Sequence, residues 1–377
     1  MAMVQVTQVT APEGWIDLGI GQPQIDILPI DRLKKAAMHR LQLGERDILQ
    51  YGLQQGDSNF RNSLAQFLGE QYGAVVNPDH LFITAGISQA LNQICALHTK
   101  PGDTVIVEEP SYFLALRIFA DFKLNIVGTP IDENGLIIEA LEETLETHRP
   151  VFLYTIPAFH NPAGYTLAAE RREKLVRLSE QHDFLIVADE VYQLLAYAST
   201  PPLPMAYFDT SERVLSLGSF SKILAPGLRL GWMQAPPKLL EPFNVCGFMD
   251  SGGGLNPFVG SIVNSMIELG LQKEYLDFLK KTYHDRMAAL RDALHRHIPA
   301  LQFSPPTGGY FIWSHLPGGT DAEQLLARAQ THQVGFQPGI KFSSTDGLRN
   351  YLRFCFAYYE KEDLVEGVER LARAIDI

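Results

Sequence analysis

From Leu81 onward the chain alternates short, unbroken apolar runs with stretches of helical periodicity. Leu81–Thr84 (LFIT), Thr104–Glu108 (TVIVE), Leu124–Val127 (LNIV), Val151–Thr155 (VFLYT), Phe184–Asp189 (FLIVAD) and Val214–Ser219 (VLSLGS) read as strands buried on both faces. Most are followed by apolar residues spaced three and four apart, as in ISQALNQICAL and SYFLALRIFADF. This alternation predicts a mostly parallel sheet covered by helices on both sides.

The flanking regions read differently. The first thirty or so residues are punctuated by Pro12, Gly14, Gly19, Gly21, Pro23 and Pro29 and predict irregular chain. A helix is expected from Asp31 to Leu43 with Asp31 as its N-cap, and a second from Ser58 to Tyr72 with Phe60, Leu64, Phe67 and Leu68 on one face. A long helical region spans Pro257–His297, broken near Gly270 or Leu271. Beyond it, GGYFIWSHL and YLRFCFAYY read as strands, AEQLLARAQTH and EDLVEGVERLARAI as helices. A chain of 377 residues exceeds what one core organises, so two domains are expected. The divisions fall at 1–45 (N-terminal segment and part of a small domain), 46–280 (large domain) and 281–377 (small domain).

Charge and cysteine content narrow the function classes. The 31 Lys and Arg against 43 Asp and Glu leave a net charge of −12, which repels phosphate backbones and argues against nucleic acid as a partner. Cys95, Cys246 and Cys355 form no CxxC pair, so a zinc ribbon or thioredoxin-like motif is not expected and no metal site is indicated. The N-terminus shows no signal-peptide pattern and no apolar run reaches membrane-span length, which together predict a cytoplasmic protein.

In an open parallel sheet, ligands gather at the carboxyl ends of the strands, and four strand ends here carry chemistry. Lys222, in GSFSKILAPGLRLGW between Ser219 and Ser221 and upstream of Arg229, suits imine chemistry; alone it also reads as a surface lysine by a turn. Asp189 ends a buried run, where its carboxylate needs several hydrogen bonds or a cation, of which a protonated pyridine nitrogen is one; the competing reading is an N-cap for a helix at EVYQLL. Asn161 of HNPAG suits donation to a ring oxygen, with Tyr192 as a second donor; the competing reading is an Asn-Pro turn. Tyr112 stacks on an aromatic face or packs in the core, and TAGISQAL places Gly86, Ile87 and Ser88 at a helix N-terminus suited to an anion.

Each signal is ambiguous alone, but their order along the chain is not. SFSKILAPGLRLGW looks like a Schiff-base lysine signature, and NPAG and DEVYQLL match two further motifs at plausible spacing. On these residues the chain resembles the fold type I pyridoxal-phosphate enzymes, specifically the class I/II aminotransferases, over essentially its whole length. Within them it looks closest to the subgroup of kynurenine/2-aminoadipate aminotransferases and MocR-like regulators. The resemblance implies an α/β fold, with a mostly parallel seven-stranded sheet in a large domain and a smaller α+β domain. It implies that pyridoxal 5'-phosphate is held by Lys222, which also shuttles the proton. Asp189 faces the pyridine nitrogen, Asn161 and Tyr192 the ring oxygen, and Tyr112 the ring face. Gly86, Ile87, Ser88, Ser219, Ser221 and Arg229 take the phosphate, joined by Tyr51 across a homodimer interface that houses the active site. Arg353, with Asn161 and Gly21, takes the substrate's α-carboxylate.

The implied activity moves an amino group from an α-amino acid to a 2-oxo acid in a ping-pong cycle. The alternatives are a carbon–sulfur β-lyase on the same fold and a non-enzymatic MocR-like module, for whose DNA-binding domain no room precedes GIGQP. A nicotinamide-binding fold is not supported, since GIGQPQ lacks the third glycine. Three departures stand out. Ile87 occupies a position where relatives carry a small hydroxyl residue, and DSGGGLNPF (250–258) is unusually glycine-rich, a candidate part of the entrance or cofactor cup. No Lys or Arg precedes Arg32, which disfavours a dedicated dicarboxylate substrate. Phe113, Tyr165, Phe248 and Phe258 suit an aromatic or large apolar side chain, or the core.

Overall fold

The computed structural model describes residues 11–197 and 200–375. The reading of the extreme N-terminus as lacking a signal peptide concerns residues outside this range. Among the described residues no helix is long and apolar enough to cross a membrane.

The main sheet runs in the order Leu81–Thr84, Gly231–Gln234, Val214–Ser219, Leu185–Asp189, Pro150–Thr155, Thr104–Glu109, Asn125–Asp132, with a two-residue strand Gly135–Leu136 on the far edge. The five strands from Val214–Ser219 to Asn125–Asp132 pair in parallel. Gly231–Gln234, whose GWMQ the hydrophobic pattern alone did not mark as a strand, inserts antiparallel to both of its neighbours. The seven longer strands match the expected number, and the eighth is a hairpin return.

Alternate residues of each central strand enter different cores. Val105, Val107, Phe152, Tyr154, Val187, Leu215 and Leu217 point to one side; Ile106, Leu153, Ile186, Ala188 and Val214 point to the other. Both faces are dry because helices cover each, which is why these runs carry no polar alternation. Gly218 is required where Trp232 crosses it, since a Cβ there would lie 2.0 Å from the indole.

The Ser58–Tyr72 helix starts at Asp57, whose side chain caps the Phe60 amide, and ends at left-handed Gly73. The expected cap at Asp31 is displaced. The helix spans Ile30–Gln42 after Pro29, so Asp31 lies within its first turn, where its charge favours the helix dipole. The break near residue 270 occurs at Gly270, φ +72°, between helices Pro257–Glu268 and Leu271–His297, and the second helix runs unbroken through residue 280. The C-terminal part forms a three-stranded antiparallel sheet in the order Phe311–His315, Tyr351–Cys355, Gln337–Pro338. The N-terminal segment joins it: Ile16–Asp17 pairs in parallel with Val334–Gly335. Residues after Gly19 are thereby led to the carboxyl edge of the main sheet.

Candidate active site

The carboxyl ends of three adjacent strands set the floor of the site. Asp189 closes its strand in a nearly dry position, 3% exposed. No helix follows it, since EVYQLL forms turns, so its side chain does not serve as a helix cap. Oδ2 accepts the Tyr154 hydroxyl at 2.8 Å and Oδ1 the Val191 amide at 3.3 Å. Burial dominates and pushes the carboxyl up to about 6 against the smaller effect of Lys222, and among the described residues no cation forms an ion pair with it.

Lys222 follows the Val214–Ser219 strand. Its Nζ donates to the Gly21 carbonyl at 3.0 Å and lies 5.1 Å from the centre of the Tyr310 ring. Burial, with the nearby Arg353 and Arg229 charges, pulls its amine down to about 8 against the opposing effect of Cys355 and Asp189.

Arg353 projects from the Tyr351–Cys355 strand into the same space, its guanidinium carbon 4.1 Å from the centre of the Phe311 ring and 4.9 Å from that of Phe342. Nη1 donates to Asn161 Oδ1 and Nη2 to the Gly19 carbonyl, each at 2.9 Å. Its buried Nε has no partner, and among the described residues no carboxylate pairs with it. Gly21 brings the two cations together: its carbonyl takes Lys222, and a Cβ on it would stand 3.3 Å from Arg353 Nη2.

A second cluster lies at the N-terminus of the Ile87–His98 helix. No side chain caps that end, leaving its first amides free for an anion. Gly86 precedes it at φ +89°, and a Cβ there would stand 2.8 Å from Arg229 Nη2. Ser219 and Ser221 bond one another at 2.9 Å, and Arg229 reaches the Ala85 carbonyl at 3.4 Å. Ser88 and Arg229 are exposed, Ile87 buried. Two serines, free helix amides and one guanidinium fit a phosphate monoester.

Between the clusters stand Tyr112, half-buried at the start of helix Phe113–Asp121, and Tyr192, whose hydroxyl finds no partner among the described residues. Asn161 Nδ2 is likewise unengaged, because Arg353 holds the other end of the amide. An acceptor for two free donors, an anion facing a ring nitrogen, an amine and an anion cup together match the polar groups of pyridoxal phosphate. The residues present fit that cofactor.

Tyr51 is not brought into this group. It is 79% exposed on a surface loop, where Gly52 bridges Gly254. The glycine run is needed for this contact: a Cβ on Gly254 would lie 1.9 Å from the Leu53 carbonyl, and one on Gly253 2.5 Å from the Gly52 carbonyl. Among the candidate aromatics, Phe113 packs edge-on against Tyr112 and Phe342, Phe248 and Phe258 are exposed, and Tyr165 is buried against His160. The hydrophobic pattern concealed Tyr154, Tyr310 and Phe311. A tyrosine inside a buried strand implies a polar partner, the one signal by which Tyr154 was identifiable.

The family model "Aminotransferase class I and II" matches residues 13–371. Aromatic-amino-acid aminotransferase 1 of Thermococcus litoralis is 33% identical over 96% of this chain and 88% of its own. The kynurenine aminotransferase of Pyrococcus horikoshii, solved in complex with PMP, superposes with a TM-score of 0.89 at 32% identity, covering 96% of this chain and 90% of that one. The alpha-aminoadipate aminotransferase of Thermus thermophilus, complexed with N-(5'-phosphopyridoxyl)-L-leucine, superposes at 0.85 with 31% identity over 96% and 92% of the two chains.

Proposed function

The chain belongs to the class I and II aminotransferase family, is a pyridoxal-phosphate-dependent aminotransferase, and on that premise we propose how its residues divide the work. The observation that carries the assignment is the meeting at Gly21 of an amine with a lowered pKa and a buried guanidinium with no carboxylate partner among the described residues. An α-amino acid supplies the missing anion.

Bound pyridoxal phosphate supplies an electron sink for charge developing at the substrate's Cα. Arg353 binds the α-carboxylate through its guanidinium edge, and its bond to Asn161 keeps that edge in the plane of the site. Lys222 holds the cofactor and, once free, moves the Cα proton with Nζ, whose lowered pKa keeps a useful fraction neutral near neutral pH. Asp189, held by Tyr154, presents a carboxylate to the ring nitrogen. Asn161 Nδ2 and the Tyr192 hydroxyl donate to the ring oxygen, and Tyr112 covers the ring face. Gly86, Ile87 and Ser88 with Ser219, Ser221 and Arg229 hold the phosphate.

In this reading residues 46–280 carry the cofactor while 1–45 and 281–377 carry the carboxylate clamp. The protein acts as a cytoplasmic homodimer, supported by exposed Leu49, Tyr51 and Leu53 in one segment, by exposed Phe248 on the short helix Gly247–Gly252, and by three free cysteines. Tyr51 reaches the phosphate of the partner subunit. The donor is a large apolar, aromatic or long-chain α-amino acid, as the names of the relatives suggest.

The test is replacement of Lys222 by Ala in purified holoenzyme. The visible cofactor band and amino-group transfer to an added 2-oxo acid are both expected to vanish. Retention of the band overturns the role of Lys222, and pyruvate and ammonia release without transfer by the unaltered enzyme would identify a lyase.

A further inference from the structure

Glu108 lies at the carboxyl end of the Thr104–Glu109 strand, is fully buried, and takes no part in the proton or carboxylate handling described above. Its carboxylate gathers donors from two neighbouring segments. Oε1 accepts the Thr155 hydroxyl at 2.7 Å and the Tyr165 hydroxyl, and Oε2 accepts the Ile156 amide at 2.9 Å. His160 Nε2 stands 3.1 Å from Oε2, close but off the line of a straight hydrogen bond. The Ala163 amide donates to His160 Nδ1 at 3.1 Å, so the imidazole proton sits on Nε2, toward the carboxylate. Burial pushes the Glu108 carboxyl up, but His160 and the bonds from Tyr165 and Thr155 outweigh it and hold the group ionised.

His160 and Tyr165 are the two ends of the HNPAGY loop. The loop closes on itself through the His160 amide to the Tyr165 carbonyl at 2.9 Å and the Gly164 amide to the His160 carbonyl at 2.7 Å. The two rings stack at 4.6 Å and 14°. Asn161 is the second residue of this loop, with one end of its amide fixed by Arg353 and the other free toward the site.

We infer that Glu108 is the positioning residue of the active-site amide: by accepting from Tyr165 at one end of the loop and standing against His160 at the other it aims Asn161 at the cofactor's ring oxygen and at Arg353 together. The loop has no sheet neighbours to define it, and a hydrogen bond weakens steeply with misalignment. An anion that accepts from several fixed donors is the group best able to hold such a loop. Glutamine in its place has one acceptor oxygen and an NH2 group turned toward donors, so part of the grip becomes repulsive.

The inference rests on the proposed contact of Asn161 with the cofactor, so the experiment includes Asn161 itself. In holoenzyme loaded with pyridoxal phosphate, the pH midpoint of the visible absorption change is measured for the unaltered protein, N161A, E108Q and the control E109Q. Loss of an amide donor to a charged oxygen moves such a midpoint upward by about one pH unit or more. N161A is expected to show that full change and E108Q more than half of it, with a raised KM for the amino acid and unchanged far-ultraviolet circular dichroism. E109Q, which loosens the Ser343–Ser344 turn instead, is expected to leave the midpoint in place. An unmoved midpoint in N161A defeats the reading of the site; a moved midpoint in N161A with an unmoved one in folded E108Q defeats only this inference. If E108Q yields no folded holoenzyme, Y165F removes a single donor and keeps the stacked ring. A midpoint moved in the same direction upholds the positioning role, and an unmoved one overturns it.

Discussion

Replacing Asp189 by Asn removes a charge that the fold holds at a cost when the cofactor is absent. The carboxyl is 3% exposed, accepts two hydrogen bonds, and is pushed from 3.8 to about 6 chiefly by burial. Because the folded value lies above the unfolded one, the folded chain binds more protons between these values. Stability from this group is therefore full below about pH 4 and declines as pH rises through about 6. A carboxyl displaced that far from its ordinary value carries ~3 kcal/mol of pH-dependent stability. Asn fills nearly the same volume, keeps an acceptor for one neighbour and carries no charge. The cofactor-free Asp189→Asn protein is thus expected to match the unaltered protein at pH 4 and to exceed it by ~2–3 kcal/mol at pH 7.5. Denaturant unfolding at several pH values, with the slope checked for constancy, measures the difference. Added pyridoxal phosphate should reverse the order, because only the carboxylate pairs with the ring nitrogen. Parallel pH profiles for the two cofactor-free proteins would refute the reasoning, for they would mean that Asp189 is not desolvated without a partner.

Three further outcomes follow from the same geometry. Arg353→Lys loses the planar fork while keeping the charge, so KM for the amino acid should rise about tenfold or more, with a smaller change in cofactor affinity; an unchanged KM would remove Arg353 from the carboxylate site. Removing the Arg353 charge by Ala should raise the Lys222 pKa above about 8, so the pH profile for reaction of the cofactor-free protein with a small aldehyde should move to higher pH; an unmoved profile would show that the two cations do not interact. Gly254→Ala places a Cβ 1.9 Å from the Leu53 carbonyl, breaks the bridge to Gly52 and should cost ~1–3 kcal/mol while weakening the proposed dimer, whereas Gly227→Ala, with open space around it, should do neither; equilibrium sedimentation and thermal unfolding compare them.

The strand-and-helix alternation was legible because each central strand is buried on both faces, and dry faces demand continuous apolar residues. The same pattern concealed Gly231–Gln234, a short antiparallel strand that follows a turn rather than a helix, and left a helix after Asp189 plausible until the turns at EVYQLL excluded it. Lys222, Asp189 and Asn161 could be named because position at a strand end is a local property, and Arg353, in the middle of its strand, only because YLRFCFA resembles the family's carboxylate clamp. Their meeting could not, since Gly21, Lys222 and Arg353 lie on segments far apart in the chain and converge only when Ile16–Asp17 pairs with Val334–Gly335.

The chain by itself determined which residues are capable of the chemistry, where the strands end, and the class of enzyme to which that order of motifs belongs. Tertiary structure alone decided which of those residues share one space and what each costs to hold there. The raised Asp189 carboxyl, the lowered Lys222 amine and the loop gripped by Glu108 all arise from desolvation and donor geometry, and these exist only after distant segments have excluded water from one another.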